Sequence, residues 1–427
     1  MATTSPAPAP GTAPGRILSL DLIRGIAVMG IFSVNVVGMA MVFEAYFYPP
    51  DYGFGGLGDR IMWAANFVIV DGKFRSLFSM LFGASMVLVC ERAIAAGTPA
   101  WRVHYPRMLV LLAFGYAHYT LLWWGDILVN YALVGMFAFA LWRLTPGQLL
   151  LAAALVLGHY YAVGLDYGLR TADAWEALSG AGAGPAQRAE WAGIEASMRP
   201  SPQALAEAEA AHASIPAHLA ASTGGGAWKR PFEWTLFGYG SETLGLMLLG
   251  MGLYKSGFLT GARSRRVYLW TAGGLVLAGL AWFGHGAWRV LAADFDRAVF
   301  LRWGRVGVEP FAPLMAVGYA ALIILAVPQR GAIAERLAAV GRTAFTNYLG
   351  STLIGFVLFF ETGFGLFGEV SRGQAWLFVP LVWAAMLLWS KPWLERFRYG
   401  PFEWLWRCLS RGRWERLRRA APAGRGV

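Results

Sequence analysis

Cysteine and charge are both scarce in this chain of 427 residues. Its two cysteines, Cys90 and Cys408, fit neither a disulfide framework nor the spacing of a metal site. Only 14% of the residues are charged, against about 25% in soluble domains, whereas 57% are apolar. The sequence also lacks H-E-x-x-H, phosphate-loop, dinucleotide-binding and nucleophile-elbow motifs. These absences exclude the common soluble enzyme classes that such motifs identify, and we expect no metal.

Long apolar runs are what the sequence has instead. The first run, residues 17–43, is long enough to cross a bilayer at a rise of about 1.5 Å per residue. Nine further runs follow, at 74–92, 107–124, 126–142, 147–166, 235–254, 267–288, 310–327, 343–365 and 374–391. The pattern predicts an all-α fold, a polytopic membrane helical bundle of about ten transmembrane helices. The apolar stretch 61–72 is too short to cross and predicts a short re-entrant or interfacial helix.

Basic residues decide the predicted orientation. They cluster in Arg92, Arg102 and Arg107; in Lys255, Arg263, Arg265 and Arg266; in Arg330, Arg336 and Arg342; and in the tail from Lys391, which holds ten Lys/Arg and three Glu. With ten spans all four clusters fall on one side, which the positive-inside rule makes cytoplasmic. Both termini are then cytoplasmic. The net charge of +11 therefore indicates attraction to anionic membrane lipids, and we expect no nucleic-acid partner.

Five regions follow from this pattern. Residues 1–15, rich in Ala, Pro, Thr and Gly, carry no positive charge and read as a disordered tail rather than a signal peptide. Residues 16–167 and 231–393 form the N-terminal and C-terminal transmembrane halves. Between them, residues 168–230 are rich in Ala and Glu and predict an extracytoplasmic helical insert. Residues 394–427 form a basic amphipathic cytoplasmic tail.

The first candidate site lies in the first helix. Asp21 and Arg24 are three residues apart and can pair on one face, close to the predicted cytoplasmic end. Arg24 is suited to a phosphate of a cytoplasmic donor, because a guanidinium makes bidentate contacts. Asn35 lies three turns deeper on nearly the same face. A purely structural ion pair and an interhelical hydrogen bond explain these residues as well.

The second candidate site is His118 with Trp124 and Asp126. His118 falls near the middle of its span, where a titratable group indicates function. Asp126 opens the next helix, and its carboxylate can cap that helix or orient the imidazole. The Trp-Gly pair at 124–125 breaks the chain between the two helices.

A third group of polar side chains is spread over later helices. Its members, which we expect to bind substrate or cofactor, are Lys73, Arg75, Glu242, Arg342, Asn347, Tyr348 and Ser351. Snorkelling and capping are the alternative for the charged members near helix ends. Hydrogen-bonded helix packing is the alternative for the polar positions around 347–351.

Six segments in order carry a family resemblance: RILSLDLIRGIAVMGIFSVN, DGKFRSLFSMLFGAS, GYAHYTLLWWGDILVNYALVG, LLGMGLYKSGFL, GRTAFTNYLGS and RYGPFEWLWRCLSRG. The chain resembles the YeiB-like family of bacterial inner-membrane proteins, whose C-terminal half is a domain of unknown function. The resemblance covers nearly the whole chain from Arg16 to Arg413. That family is similar to the transmembrane acyltransferases, which include heparan glucosaminide acetyltransferase.

The resemblance implies transfer of an acyl group from cytoplasmic acyl-CoA, most simply acetyl-CoA, to an acceptor at the extracytoplasmic side. In the O-acyltransferases an Arg is followed after ten residues by a catalytic His. Here Arg24 is followed at that spacing by Asn35. His118 is then the remaining choice for a general base or transient acyl carrier, with Asp126 orienting it. Arg24, Lys73 and Arg75 would bind anionic groups, and Asn35 a carbonyl or oxyanion.

A transporter or permease for a small polar or anionic solute is the alternative function, because carriers also show intramembrane charges in a bundle of two halves. The expected partners are membrane lipids and a small-molecule or glycan acceptor. The oligomeric state stays open between a monomer and a homodimer.

Overall fold

The computed structural model describes residues 17–327 and 331–419. The predicted disordered tail 1–15 and Arg330 lie outside these residues. The described residues form helices and no β-strand, with one isolated bridge between Phe397 and Arg418. The prediction of an all-helical fold is confirmed.

The first part of the chain forms ten helices. They are α1 (Leu18–Ala40), α2 (Phe43–Phe47), α3 (Leu57–Ala65), α4 (Lys73–Ala95), α5 (Ala100–Leu121), α6 (Leu128–Ala138), α7 (Pro146–Ser179), α8 (Pro185–Met198), α9 (Pro202–His212) and α10 (Ile215–Thr223). A π-helical segment, Asn66–Val70, joins α3 to the turn before α4. The predicted interfacial stretch 61–72 therefore comprises the end of α3, this segment and the turn at Asp71–Gly72.

The second part also forms ten helices. They are α11 (Arg230–Glu233), α12 (Gly240–Lys255), α13 (Arg265–Ala292), α14 (Arg297–Val299), α15 (Ala312–Ala326), α16 (Ala332–Arg342), α17 (Ala344–Phe359), α18 (Arg372–Trp376), α19 (Phe378–Arg396) and α20 (Pro401–Arg411). Two further π-helical segments, Trp234–Tyr239 and Phe300–Val306, precede α12 and follow α14.

Six stretches among the described residues are long and apolar enough to cross a membrane. They are Leu18–Ala40, Leu57–Ala95, Pro146–Ser179, Arg265–Ala292, Arg297–Ala326 and Arg372–Arg396. Leu128–Leu141 and Ala344–Phe359 are shorter apolar helices. Each of the ten apolar runs in the sequence contains helix. The membrane character of the helical fold is confirmed.

Helix α1 lies at the centre of the bundle, in contact with α4, α15, α16, α17 and α19. Its apolar positions Ile23, Ala27, Phe32 and Val36 are at most 1% exposed. A helix surrounded by protein on all sides has no solvent-facing stripe, so its sequence is apolar all round. The few polar groups of α1 consequently meet other protein groups.

Glycines let two pairs of helices approach closely. In the crossing of α4 and α12, a methyl group at Gly83 would overlap the Met247 carbonyl, and one at Gly250 would overlap the Met80 carbonyl. Small residues at helix crossings allow this backbone contact in membrane proteins. The same reciprocal arrangement joins α1 to α16, through Gly25 and Gly341. The crossing of α4 and α12 fixes the relative position of two helices that carry site residues.

Helix α7 is longer than the apolar run that predicted it. It begins at a capping box of Thr145 and Gln148, with Pro146 in the first turn, and it continues to Ser179. The predicted boundary between 167 and 168 falls inside this helix. The rest of the insert, α8 to α10, folds back onto the bundle: Ser222 Oγ donates to the Thr120 carbonyl at 2.8 Å.

Helix α20 is docked on the bundle by buried polar contacts. The Glu403 carboxylate accepts hydrogen bonds from the backbone N–H groups of Phe345 and Thr346, at 2.8 and 3.0 Å. These are free N–H groups at the start of α17, which need such a partner. Trp406 Nε1 donates to the Arg107 carbonyl of α5 at 2.8 Å. Part of the predicted basic tail thus connects α5 and α17.

Candidate functional site

A cavity of about 410 Å³ lies where α1 ends and α4, α6 and α12 begin. Its volume is in the range of small-molecule sites. The polar and charged side chains of its wall are Asn35, Tyr46, Asp71, Arg75, Trp123, Trp124, Asp126, Tyr131, Tyr160, Trp234, Tyr239, Glu242, Arg305, Glu309 and Tyr348. Residues from both halves of the chain therefore build one wall.

All three π-helical segments contribute to this wall. Phe67 and Val70 come from the first segment, Trp234 and Tyr239 from the second, and Arg305 from the third. π-Helices form well under 1% of residues in globular proteins, and they occur often at functional sites. Their convergence on one cavity makes this cavity the candidate site.

Aromatic rings form one side of the cavity. Trp124 has its ring centroid 4.8 Å from that of Phe43, 5.6 Å from that of Tyr46 and 6.3 Å from that of Trp234, all in edge-to-face contact. Such contacts hold the rings in defined orientations. Trp124, a predicted site residue, is central to this aromatic wall.

An ion pair joins α4 to α12 at the cavity. Arg75 donates from Nη1 and Nη2 to the two carboxylate oxygens of Glu242, at 2.7 and 2.9 Å. The Tyr161 hydroxyl of α7 donates to the same carboxylate at 2.6 Å. The Glu242 side chain is 4% exposed and that of Arg75 is 37% exposed. The predicted residues Arg75 and Glu242 are therefore brought together, with the guanidinium facing the cavity.

His118 lies behind the cavity wall, in contact with the wall residue Asp126. The break of the helix at 122–127 turns the chain back, so that the Asp126 Oδ2 lies 2.8 Å from His118 Nδ1. Asp126 Oδ1 accepts the backbone N–H of Val129 at 2.8 Å, at the start of α6. One carboxylate thus does both tasks that the sequence offered as alternatives: it caps α6 and orients the imidazole.

The second ring nitrogen of His118 meets Thr352. His118 Nε2 and Thr352 Oγ1 are 3.0 Å apart. A carboxylate only accepts hydrogen bonds, so Nδ1 carries the hydrogen, and a neutral imidazole then accepts the Thr352 hydroxyl hydrogen at Nε2. The order carboxylate, imidazole, hydroxyl is that of the triads in which histidine acts as general base.

The array formed by Asp126, His118 and Thr352 is sealed from solvent. The side chains of His118 and Asp126 are 1% and 0% exposed. Tyr348 stands between the imidazole and the cavity region, with its ring centroid 5.4 Å from that of His118. The Tyr348 hydroxyl is buried and lies near the backbone N–H of Ile127. Its ring therefore separates the imidazole from the cavity.

Asp21 and Arg24 lie away from the cavity. Arg24 donates to Asp21 Oδ1 at 3.3 Å and to Ser85 Oγ at 2.7 Å, and neither residue lines the cavity. Eleven residues of helix place Arg24 about 16 Å along α1 from Asn35, which does line it. The first candidate group is therefore divided between two levels of the bundle.

Lys73, Asn347, Ser351 and Arg342 do not line the cavity. Lys73 is fully buried, donates to the Phe67 carbonyl and has Nζ 3.2 Å from the Phe283 ring centroid. A buried ammonium is stabilised by such contacts, so Lys73 supports the wall from behind.

The other three of these residues lie in helix–helix contacts or at a helix end. Asn347 Nδ2 donates to Ser390 Oγ at 3.2 Å, and Ser351 Oγ donates to the Tyr348 carbonyl at 2.7 Å. Arg342 ends α16. Hydrogen-bonded helix packing, the alternative noted for 347–351, describes Asn347, whereas the Ser351 hydroxyl bonds the backbone of its own helix.

Sequence reasoning missed several wall and array residues: Thr352, Tyr131, Tyr160, Tyr161, Trp234, Tyr239, Arg305 and Glu309. The sequence did carry a signal for Arg305 and Glu309, because charged residues beside an apolar run cost free energy in a membrane unless protein surrounds them. The sequence carried no such signal for Thr352, because a hydroxyl in an apolar helix normally bonds the backbone of its own helix. Within residues 17–327 and 331–419, no group of three or more His, Cys, Asp or Glu could hold a metal ion.

Comparisons with known proteins place the whole chain among relatives of its own length. Residues 253–413 match the family described as a protein of unknown function, DUF418. The chain is 33% identical to the uncharacterized protein YeiB of Escherichia coli K12, with 96% of this chain and 98% of that protein covered. It is 30% identical to the uncharacterized protein YxaH of Bacillus subtilis 168, with 94% and 95% covered. No solved structure matches the chain.

Proposed function

Because the chain belongs to the YeiB-like family and matches these relatives over nearly their whole length, we propose one function for the whole bundle rather than for a single domain. We propose that it is a transmembrane acyltransferase, which moves an acyl group from cytoplasmic acyl-CoA to an acceptor at the extracytoplasmic side. The observation that carries this proposal is the array of Asp126, His118 and Thr352 beside a polar cavity.

The proposal includes a topology. We place the protein in the bacterial inner membrane as a multi-pass protein of ten spans with both termini cytoplasmic, since the basic clusters then share one side. In this orientation the cavity opens toward the extracytoplasmic half, because it lies where α1 ends and α4 begins. Arg24 then lies in the cytoplasmic half. Donor and acceptor would enter from opposite faces.

The chemistry assigns a role to His118 and to Asp126. The acceptor's hydroxyl or amine attacks the thioester carbonyl, its proton passes to His118 Nε2, and the carbon–sulfur bond breaks. The proton then passes from His118 to the CoA thiolate. Asp126 holds the tautomer and stabilises the imidazolium. The reaction requires the Tyr348 side chain to move aside.

Two further residues would bind the donor. Asn35 lines the cavity, and its amide can donate to the thioester carbonyl as negative charge develops. Arg24 would bind a phosphate of CoA at the cytoplasmic end of α1, in place of its bond to Ser85. No metal takes part in this scheme.

A thermal shift of the detergent-purified protein tests donor binding. The ligands are acetyl-CoA, longer acyl-CoA species and free CoA, because a ligand that binds only the folded state raises the melting temperature. Arg24→Ala is expected to lose the shift, whereas Arg263→Ala, an exposed arginine outside the bundle core, keeps it. An unchanged melting temperature with every CoA species would contradict the proposal.

Transport of a small polar solute is the second candidate function, and the three π-helical segments favour it. Carriers place irregular helices and charged groups around a central binding site, as Arg75 and Glu242 are placed here. Uptake or efflux by proteoliposomes without any acyl-CoA would support this candidate.

A further inference from the structure

The charged groups of the cavity wall are not balanced. Four carboxylates line it, those of Asp71, Asp126, Glu242 and Glu309, against the guanidinium groups of Arg75 and Arg305. Each of these arginines is already paired with a glutamate of the wall, since Arg75 holds Glu242 and Arg305 Nε lies 3.4 Å from Glu309. Among the residues that line the cavity, carboxylates therefore outnumber guanidinium groups by four to two.

Asp71 takes part in neither of these two ion pairs. Asp126 is bonded to His118, whereas the Asp71 carboxylate has no hydrogen bond and no cation within 4 Å among the described residues. Two buried cations lie behind this part of the wall, Lys73 and Arg372. They are bonded to the backbone carbonyls of Phe67 and Ala45, and neither lines the cavity.

The aromatic wall stands next to this carboxylate. Tyr46, Trp124 and Asp71 all line the cavity, and the ring centroid of Tyr46 lies 5.6 Å from that of Trp124. The rim of the same wall already holds one cation against a ring face, since the Arg305 guanidinium carbon is 5.5 Å from the Phe47 centroid. Aromatic faces beside a carboxylate are the arrangement that recognises ammonium groups.

We propose that the cavity binds an acceptor with a cationic ammonium group, held between the Asp71 carboxylate and the rings of Tyr46 and Trp124. The nucleophile is a separate hydroxyl on the same small molecule, so the ammonium keeps its charge throughout. This assignment of the acceptor class rests on the acyl transfer proposed above, but the binding of the cation does not.

The transfer step balances for such an amino-alcohol. Its hydroxyl oxygen forms a bond to the thioester carbonyl carbon, and the bond from that carbon to sulfur breaks. The hydroxyl proton passes to His118 and then to the departing thiolate. The products are an ester that still carries the ammonium group, and CoA with a free thiol.

Two probes of equal shape test the charge requirement. Choline and 3,3-dimethylbutan-1-ol differ only in a positive nitrogen against a neutral carbon, so any difference in binding reports the charge. Isothermal titration of the full-length protein in detergent, at constant ionic strength, is expected to show about tenfold tighter binding of choline. Equal affinities, or no binding of choline, would overturn the proposal.

Variants locate the site. Asp71→Asn keeps the shape and removes the charge, so it is expected to abolish the preference for choline. Trp124→Ala is expected to weaken choline binding about tenfold, and Trp124→Phe to restore most of it. Asp166→Asn, on the exposed surface of α7, is the matched control and keeps full binding. Retention of the choline preference in Asp71→Asn would place the cation elsewhere and reject the assignment.

The two proposals fail separately. Choline binding without a thermal shift by any acyl-CoA would retain the ammonium site and reject acyl transfer, which leaves transport of a cationic solute. A shift by acyl-CoA with no binding of choline would retain the donor site and reject the ammonium-bearing acceptor.

Discussion

His118 Nδ1 and Asp126 Oδ2 lie 2.8 Å apart across a break between two helices, and the other oxygen of the same carboxylate caps the second helix. The position of the imidazole is therefore tied to the start of α6. A change that disturbs the cap also releases the histidine, and the two effects have to be separated in any mutational test.

The variant Asp126→Asn partly separates the loss of the helix cap from the loss of the contact with His118. An asparagine oxygen can still accept the Val129 N–H, but the side-chain amide then faces the hydrogen on His118 Nδ1, and the imidazole has to change tautomer or turn. We expect a loss of transfer of about 10³-fold to 10⁴-fold with a small change in melting temperature. Acyl transfer measured under single-turnover conditions checks this.

Thr352→Ser is the matched control, because it keeps the hydroxyl at His118 Nε2. Transfer at the wild-type rate in a well-folded Asp126→Asn protein would show that the pair is structural only.

Removal of Arg75 is expected to destabilise the protein strongly. The Glu242 carboxylate is buried, and without the guanidinium it retains only the Tyr161 hydroxyl as a partner among its three observed bonds. Leaving a buried charge unpaired costs about 3 to 5 kcal/mol, and the exposure of Arg75 favours the lower end. Arg75→Met is expected to lower the free energy of unfolding accordingly.

The double variant Arg75→Met with Glu242→Gln is expected to recover most of this loss, because no buried charge remains. Equal stabilities of Arg75→Met and the double variant would contradict this recovery.

Gly250→Ala is expected to push α4 and α12 apart. The added methyl group would overlap the Met80 carbonyl, which is backbone and cannot move alone. Overpacking of this kind costs about 1 to 3 kcal/mol. Gly274→Ala in α13 is the matched control: nothing lies within 4 Å of its added methyl group, so its melting temperature is expected to stay level or rise slightly. Equal melting temperatures of the two variants would contradict the close crossing.

Lowering the pH is expected to weaken the packing of the insert on the bundle. Burial lowers the pKa of His212 from 6.5 to about 4, and burial also lowers the pKa of His218. Between these values the unfolded segment binds more protons than the packed one, so stability decreases as the pH falls from about 6.5 to about 4 and is unaffected above that window. The His212 ring stacks on Phe367 with centroids 3.6 Å apart, so this contact should open first.

Hydrogen exchange of residues 202–223 at pH 7, 6, 5 and 4 measures this effect. His212→Phe keeps an aromatic ring without a titrating group. The protection of its insert, relative to the intrinsic exchange rate at each pH, should therefore depend less on pH. Protection of the wild-type insert that is equal at pH 7 and pH 4 would contradict the prediction.

Local patterns in the sequence were enough for the helices and for the pairs close in sequence. Apolar runs gave the helical class, and spacing within one helix gave the pair of Asp21 and Arg24. Contacts between distant helices depend on how these pack, which periodicity does not encode. Thr352 meets His118 across 234 residues, and Lys73 turned out to be buried rather than facing the cavity.

The extent of α7 shows a second limit. The hydropathy of the sequence falls after Asp166, but the helix continues through Gly168 to Ser179, because residues 169–179 include neither glycine nor proline. Loss of apolar character marks the end of a predicted membrane run, whereas the end of a helix depends on its capping and its breakers.

The π-helical segments Asn66–Val70 and Phe300–Val306 hold more residues per turn than an α-helix, whereas Trp234–Tyr239 contains a kink at Gly238. Deletion of a single residue within Asn66–Val70, for example, would restore the regular pitch and rotate everything beyond it by about 100°. The site is thus encoded in segment length as well as in side-chain identity. A relative that kept every wall residue but was one residue shorter in such a segment would have lost the cavity. The number of residues between two wall positions would reveal this loss, whereas the percentage of identical residues would not.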